Sequence, residues 1–242
     1  MSGHSKWATT KHKKAIIDAK RGKIFTKLAK LVTIAARDGK SGDINSNPSL
    51  RMAVENAKAA SMPKDNIERA IQRGVGGGNG AAIEEVIYEA YAPGGVALII
   101  ECLTDNKNRT LGEIKAILNK NGGTLATAGS VSYLFKKVGQ LIIDSKKNSK
   151  NNEELELAII ESGADDFEEE DNIYIVTCEF QGLHQVKKSL EDAGLVIESA
   201  ESVQTAATLI DLPEEKKEQI MSLVDKIEEL DDISNVYSNL NL

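Results

Sequence analysis

Polar and apolar positions divide this chain into stretches of different rhythm. Before Ala15 there is almost no apolar periodicity, so residues 1–20 have no face of their own to bury; they are expected to be a basic, flexible tail that a partner orders. Beyond Ile16 a helical period sets in: Ile24, Leu28, Leu31, Val32 and Ala35 form one stripe, which ends at Asp38-Gly39. Asn47 as a cap and Pro48 at the first helical position open a second helix with Leu50, Ala53, Val54 and Ala57 inward. A third follows Met62-Pro63, with Ile67, Ala70 and Ile71 inward and Gly74 as its stop. Five glycines within residues 74–80 then read as a linker.

After the linker the period shortens to that of strands. Val86–Tyr91 and Val96–Leu103 flank Ala92-Pro93-Gly94-Gly95, which suits a type II turn and predicts a hairpin. Thr110 with Glu113 has the spacing of a capping box and opens a helix to Asn121; a strand is expected at Val131–Phe135. Strand Leu141–Asp144, helix Asn152–Ser162, strands near Asp165–Glu168 and at Ile173–Glu179, helix Leu183–Ala193 and strand Leu195–Val203 then spell βαββαβ. Removing that copy leaves a second: Val96–Leu103, Thr110–Asn121, Val131–Phe135, Ala206–Leu212, Pro213–Leu230 and Ile233–Ser238. The fold class expected is therefore α+β: a three-helix domain (21–76), an α/β domain (84–136 plus 204–242) and a second ferredoxin-like α/β domain (137–203) inserted in it.

Charge changes this picture more than composition does. The 242 residues carry 30 Lys+Arg and 37 Asp+Glu, a net charge of −7, but the two signs are segregated. Residues 1–40 hold eleven Lys/Arg against Asp18 and Asp38, hence +9, whereas residues 74–242 carry −17. Lys20, Lys23, Lys27, Lys30 and Arg37 share one helical face. Like charges so placed repel, and a polyanion facing them is a natural remedy. The tail adds Lys6, Lys11, Lys13 and Lys14, and the single tryptophan, Trp7, could stack on a base or pack against the bundle. Arg21 extends the basic run. On the third helix Asn66, Arg69 and Arg73 could hold phosphates or read base edges, or pair locally with Asp65 and Glu68.

Other chemistry finds little support. Gly39-Lys40-Ser41 lacks the first glycine of a phosphate loop, and the glycine run follows a helix where a dinucleotide fingerprint would follow a strand. His4, His12 and His184 are scattered, Cys102 and Cys178 have no partner cysteine nearby and read as buried thiols, and the acidic run Asp165–Asp171 reads as a solvated hairpin turn; no metal or cofactor is expected. No activated nucleophile pattern is visible, so the chain is not expected to be an enzyme. Tyr133 and Phe135 share a face without the RNA-binding glycine-aromatic run, and core packing is expected of them. The longest apolar run, Val96–Ile100, is too short to span a membrane, and the polar start argues against secretion, which points to the cytoplasm.

The segments Gly3-His4-Ser5-Lys6-Trp7, Lys23–Leu28, Met62–Ile71, Asp105–Thr110 and Gly129-Ser130-Val131 with Tyr133-Leu134-Phe135 together resemble the YebC/PmpR family. The resemblance spans the chain and implies a helical first domain with two α/β domains. It also implies a DNA-binding transcriptional regulator, or, by the description of mitochondrial and some bacterial relatives, a translation factor acting on ribosomal RNA at the ribosome. It marks the loop Asp105, Asn106, Lys107, Asn108, Arg109 and Thr110 as a candidate functional surface, with Lys107 where relatives often carry Arg; a plain strand-to-helix connection is the competing reading. The expectation is a nucleic-acid-binding regulator of gene expression, acting on DNA or alternatively on ribosomal RNA. A protein-interaction or small-ligand sensor is the third class. The sequence sets no oligomeric state.

Overall fold

The computed structural model describes residues 21–76 and 82–242 and resolves into two compact units, Met1–Phe135 with Ala206–Leu242, and Lys136–Thr205. In the first unit, helices α1 (Arg21–Asp38), α2 (Pro48–Ala59) and α3 (Lys64–Val75) close over Val32, Ala36, Leu50, Val54, Ala57, Met62, Ile67 and Ala70. Asn47 does more than cap α2: its Oδ1 accepts from Leu50 N–H at 3.0 Å, and its Nδ2 donates to the Ala35 carbonyl at 2.8 Å. One buried amide thus joins the end of one helix to the start of the next. Gly74 does not stop α3, which runs on to Val75. A Cβ there would lie 2.4 Å from the Thr33 carbonyl oxygen, so glycine is what lets α3 press against α1.

The same unit holds a sheet of order β3-β1-β2-β8, built from β1 (Glu84–Tyr91), β2 (Ala97–Thr104), β3 (Thr124–Leu125) and β8 (Ile233–Ser238). β1 and β2 form the expected hairpin, with Tyr91 opposite Ala97, and Gly94 at φ +80° takes the turn position that requires a positive φ. Helices α4 (Lys107–Lys120) and α7 (Glu214–Glu228) supply Ile114, Leu118, Ile220, Leu223, Val224 and Ile227 to a core shared with Leu98, Ile100 and Val236.

Three details of this unit depart from the sequence expectation. Helix α4 begins at Lys107, capped by Asn106, whose side chain accepts from Arg109 N–H at 3.1 Å; Thr110 is not the cap but a fully buried residue of the first turn. The strand expected at Val131–Phe135 is instead a 3₁₀ turn over Ser132–Leu134, in which Tyr133 is 74% exposed rather than part of the core. Residues 207–212 form no strand, only an isolated bridge of Ile210 with Leu240, so the sheet takes its remaining strands from β1 and the short β3.

The second unit is a ferredoxin-like βαββαβ array: β4 (Phe135–Asp144), α5 (Asn152–Glu161), β5 (Asp166–Glu170), β6 (Ile173–Glu179), α6 (Leu183–Asp192) and β7 (Ser199–Ala206), with strand order β5-β6-β4-β7. Leu141 faces Val176 and Ile143 faces Tyr174 across the ladder. Leu155 and Ile159 of α5, and Val186 and Leu190 of α6, are likewise buried. Gly139 admits the helical side, since a Cβ there would meet Cys178 Sγ at 2.8 Å and Leu183 Cβ at 2.9 Å. The acidic run forms β5 and its turn, where Asp171 and Asn172 adopt φ of +50° and +70°.

Candidate nucleic-acid interface

The cationic face of α1 is where the sequence placed the site, and the structure turns it toward protein. Lys27, Lys30, Ile34 and Arg37 follow one another at three- and four-residue steps, and Ile34 is only 4% exposed. Lys27 Nζ donates to Asn235 Oδ1 at 2.8 Å. Lys30 Nζ donates to Asp232 Oδ1 at 2.8 Å and to the carbonyls of Leu103 and Asp231, both at 3.0 Å. Three donors meet three acceptors, so Lys30 is saturated. Arg37 donates to Asp38 and to the Ile83 carbonyl. Acceptors from the β2–β8 side thus relieve the repulsion that seemed to call for a polyanion, and this stretch of α1 is a docked face rather than a bare one.

Asp232, in the connection between α7 and β8, is the centre of that docking. Its Oδ2 accepts from Arg109 Nη2 at 2.6 Å, Thr110 Oγ1 at 2.8 Å and Thr104 Oγ1 at 3.1 Å, while Oδ1 takes Lys30. Burial alone would raise this carboxyl's pKa. The hydrogen bonds from Lys30, Arg109 and Thr110 outweigh it and hold the group well below the ordinary carboxylate range. Sequence reasoning missed Asp232, because nothing local distinguishes it from Asp231; its partners lie over a hundred residues away.

The same network accounts for most of the Asp105–Thr110 loop. Asp105 pairs with Arg109 at 2.9 Å, Asn106 caps α4, Lys107 Nζ pairs with Glu84 at 2.7 Å and Thr110 is sealed against Asp232. Asn108 is exposed in the first turn of α4. On α3, Arg69 is drawn to Asn66 Oδ1 and, at 3.2 Å, to the Asp65 carbonyl, while Arg73 and Gln72 are exposed. Arg21 and Lys23 lie at the start of α1. Lys6, Trp7, Lys11, Lys13, Lys14 and Lys20 lie outside the described residues. Among the described residues no three His, Cys, Asp or Glu side chains are grouped to hold a metal, and no helix is long and apolar enough to cross a membrane.

A second buried carboxylate was also invisible to the sequence. Glu89 of β1 is 6% exposed and accepts from the backbone N–H groups of Gly129 (2.7 Å), Val131 (2.6 Å) and Ser132 (3.1 Å). Burial would raise its pKa; these three bonds prevail and lower it. Gly129, at φ +88°, lets the chain curl around the carboxylate. This explains why the Gly129-Ser130-Val131 segment is a turn.

Fold and site together define an α+β protein in which a basic-headed helical bundle is locked, through an Asp232-centred network, to an antiparallel sheet, with a ferredoxin-like unit in the same chain. Residues 5–77 match the TACO1/YebC protein N-terminal domain, and residues 83–240 the TACO1/YebC second and third domain. The chain belongs to the TACO1/YebC family. A relative from Thermoanaerobacter pseudethanolicus, named a probable transcriptional regulatory protein, is 49% identical over all of this chain and 98% of its own. One from Geobacter sulfurreducens, named likewise, is 46% identical over all of this chain and 96% of its own. The crystal structure of a conserved hypothetical protein, Aq1575 from Aquifex aeolicus, superposes with a TM-score of 0.90 at 42% identity, covering 97% of this chain and 96% of that one.

Proposed function

We propose that this protein is a cytoplasmic, non-enzymatic regulator of gene expression that binds nucleic acid through its amino-terminal basic segment, with duplex DNA as the leading target. The observation that carries the reading is the segregated charge: +9 over residues 1–40 on a chain of −7. Because Lys27, Lys30 and Arg37 have protein acceptors, the cations assigned to phosphate are Lys6, Lys11, Lys13, Lys14, Lys20, Arg21 and Lys23, with Arg73 as an exposed accessory on α3. The relatives' shared name supports a role in gene regulation. Phosphate contacts of this kind fix position and affinity without reading sequence.

The test is a competition between duplex DNA and structured ribosomal RNA for the full chain, repeated at several salt concentrations. Contact with about five phosphates gives a log-log slope near −4.5 on duplex. Preference for the ribosomal RNA would shift the reading to a translation factor. Failure to bind either polymer at low salt would refute both.

A further inference from the structure

Tyr133 is the most exposed large apolar or aromatic side chain among the described residues, at 74%, yet the turn that carries it is tied down by hydrogen bonds. Glu89 grips three backbone donors of the loop, those of Gly129, Val131 and Ser132, the Tyr91 hydroxyl donates to the Ser130 carbonyl at 2.9 Å, and Ala126 N–H donates to the Glu89 carbonyl at 2.8 Å. Val131 beside it is fully buried, and the Leu134 carbonyl accepts from Ala207 N–H at 2.9 Å. Six such bonds, three of them to a buried carboxylate, hold a surface turn whose one large outward side chain is a tyrosine. The backbone beneath the ring is held in place, and a tyrosine has only two χ angles to immobilise when something stacks on it.

Charge indicates what that is. From Ile114 to Ile143 the chain has four lysines (Lys115, Lys120, Lys136 and Lys137) and no Asp or Glu, whereas residues 74–242 as a whole carry −17. Tyr133 therefore lies in a run of sequence whose own charges are all positive, and the one carboxylate against its turn, Glu89, is buried and taken up by three backbone N–H groups, which favours a polyanion bearing flat apolar groups over a basic protein segment. We propose that Tyr133 is a stacking platform for an unpaired nucleobase of single-stranded nucleic acid, a contact separate from the phosphate contacts of the amino-terminal segment. This deepens the nucleic-acid reading and rests on it. Paired bases in a duplex offer no free face, so the site selects frayed, looped or single-stranded regions.

The experiment measures binding of the full chain, as wild type, Tyr133→Ala and Tyr133→Phe, to a fluorescent 12-nucleotide single strand (RNA and DNA versions) and to the duplex of the same sequence. Stacking predicts that Tyr133→Ala weakens single-strand binding about tenfold or more. The salt slope and the duplex affinity should stay unchanged, Tyr133→Phe should restore binding to within about twofold since the ring is what stacks, and thermal unfolding should be unaffected. RNA and DNA strands should respond alike if the base face alone is read. Unchanged single-strand affinity in Tyr133→Ala, or an equal loss on duplex, overturns the proposal while leaving the amino-terminal reading intact. A wild type that binds neither polymer overturns both.

Discussion

At the scale of single residues, two carboxylates with almost no exposure organise the first unit: Asp232, receiving Lys30, Arg109, Thr104 and Thr110, and Glu89, receiving three backbone N–H groups. Removing one partner of a buried, saturated ion pair leaves the other uncompensated, which costs about 3 kcal/mol or more. Asp232→Asn should therefore lower unfolding free energy by about that amount at pH 7 in urea titration. A loss under about 1 kcal/mol would mean the network is solvent-screened like a surface pair. Both groups have folded pKa values below their ordinary 3.8 and 4.5, so their stabilisation is complete above those values and is lost as pH falls through the lower folded ones. The gap between wild type and Asp232→Asn should accordingly stay constant from pH 7 to about pH 4.5 and narrow below pH 3.8. Cys102 makes no comparable contribution at neutral pH: burial first, then Asp232, push its thiol up to about 12, which keeps it neutral.

At the scale of elements, two helical glycines with opposite surroundings give predictions of opposite sign. Gly112 of α4 has open space where a Cβ would go, so Gly112→Ala should add about 0.5–1 kcal/mol through helix propensity alone. Gly74 of α3 has the Thr33 carbonyl oxygen at 2.4 Å and Ala36 Cβ at 2.7 Å from that point, so Gly74→Ala must push α3 off α1 and should cost about 1–3 kcal/mol despite the better propensity. Urea midpoints of the two variants test the contrast. The same distinction explains what the sequence revealed. Hairpin β1–β2, the Asn47-Pro48 start and the βαββαβ order of the second unit were legible, because alternation, caps and turn residues act within a few positions of where they stand. The failures lie where a distant partner decides. Thr110 looked like a cap until Asp232 claimed its hydroxyl, and Val131–Phe135 looked like a strand until Glu89 drew its backbone N–H groups into a turn. The face bearing Lys27 and Lys30 could be read as a stripe, but its acceptors near residues 231–235 could not be paired with it from spacing.

At the scale of the whole molecule, the question is which cations hold the protein together and which remain for a polyanion. The two uses leave different signatures, because a docked lysine contributes to unfolding free energy and a phosphate-binding lysine to counterion release. Replacing Lys30 by Met keeps its apolar stem but strips Asp232 of its Oδ1 partner. Such a variant should unfold more easily, by about 2–3 kcal/mol, with the salt slope of nucleic-acid binding unchanged. Exchanging Lys6, Lys11, Lys13 and Lys14 for Gln takes the head from +9 to +5 and the chain from −7 to −11. With each lost phosphate contact worth about 0.9 of slope, the logarithmic salt dependence on duplex should flatten by up to about 3.6 while the urea midpoint stays put. The acidic body magnifies the loss at low ionic strength, where the Debye length reaches about 30 Å and −11 of net charge opposes approach, and mutes it near physiological salt at about 8 Å. The affinity ratio of wild type to the four-glutamine variant should therefore grow as salt is lowered. If Lys30→Met instead flattens the slope and the tail variant does not, the docked face of α1 must open to meet the nucleic acid, and the division of labour between the two sets of lysines is reversed.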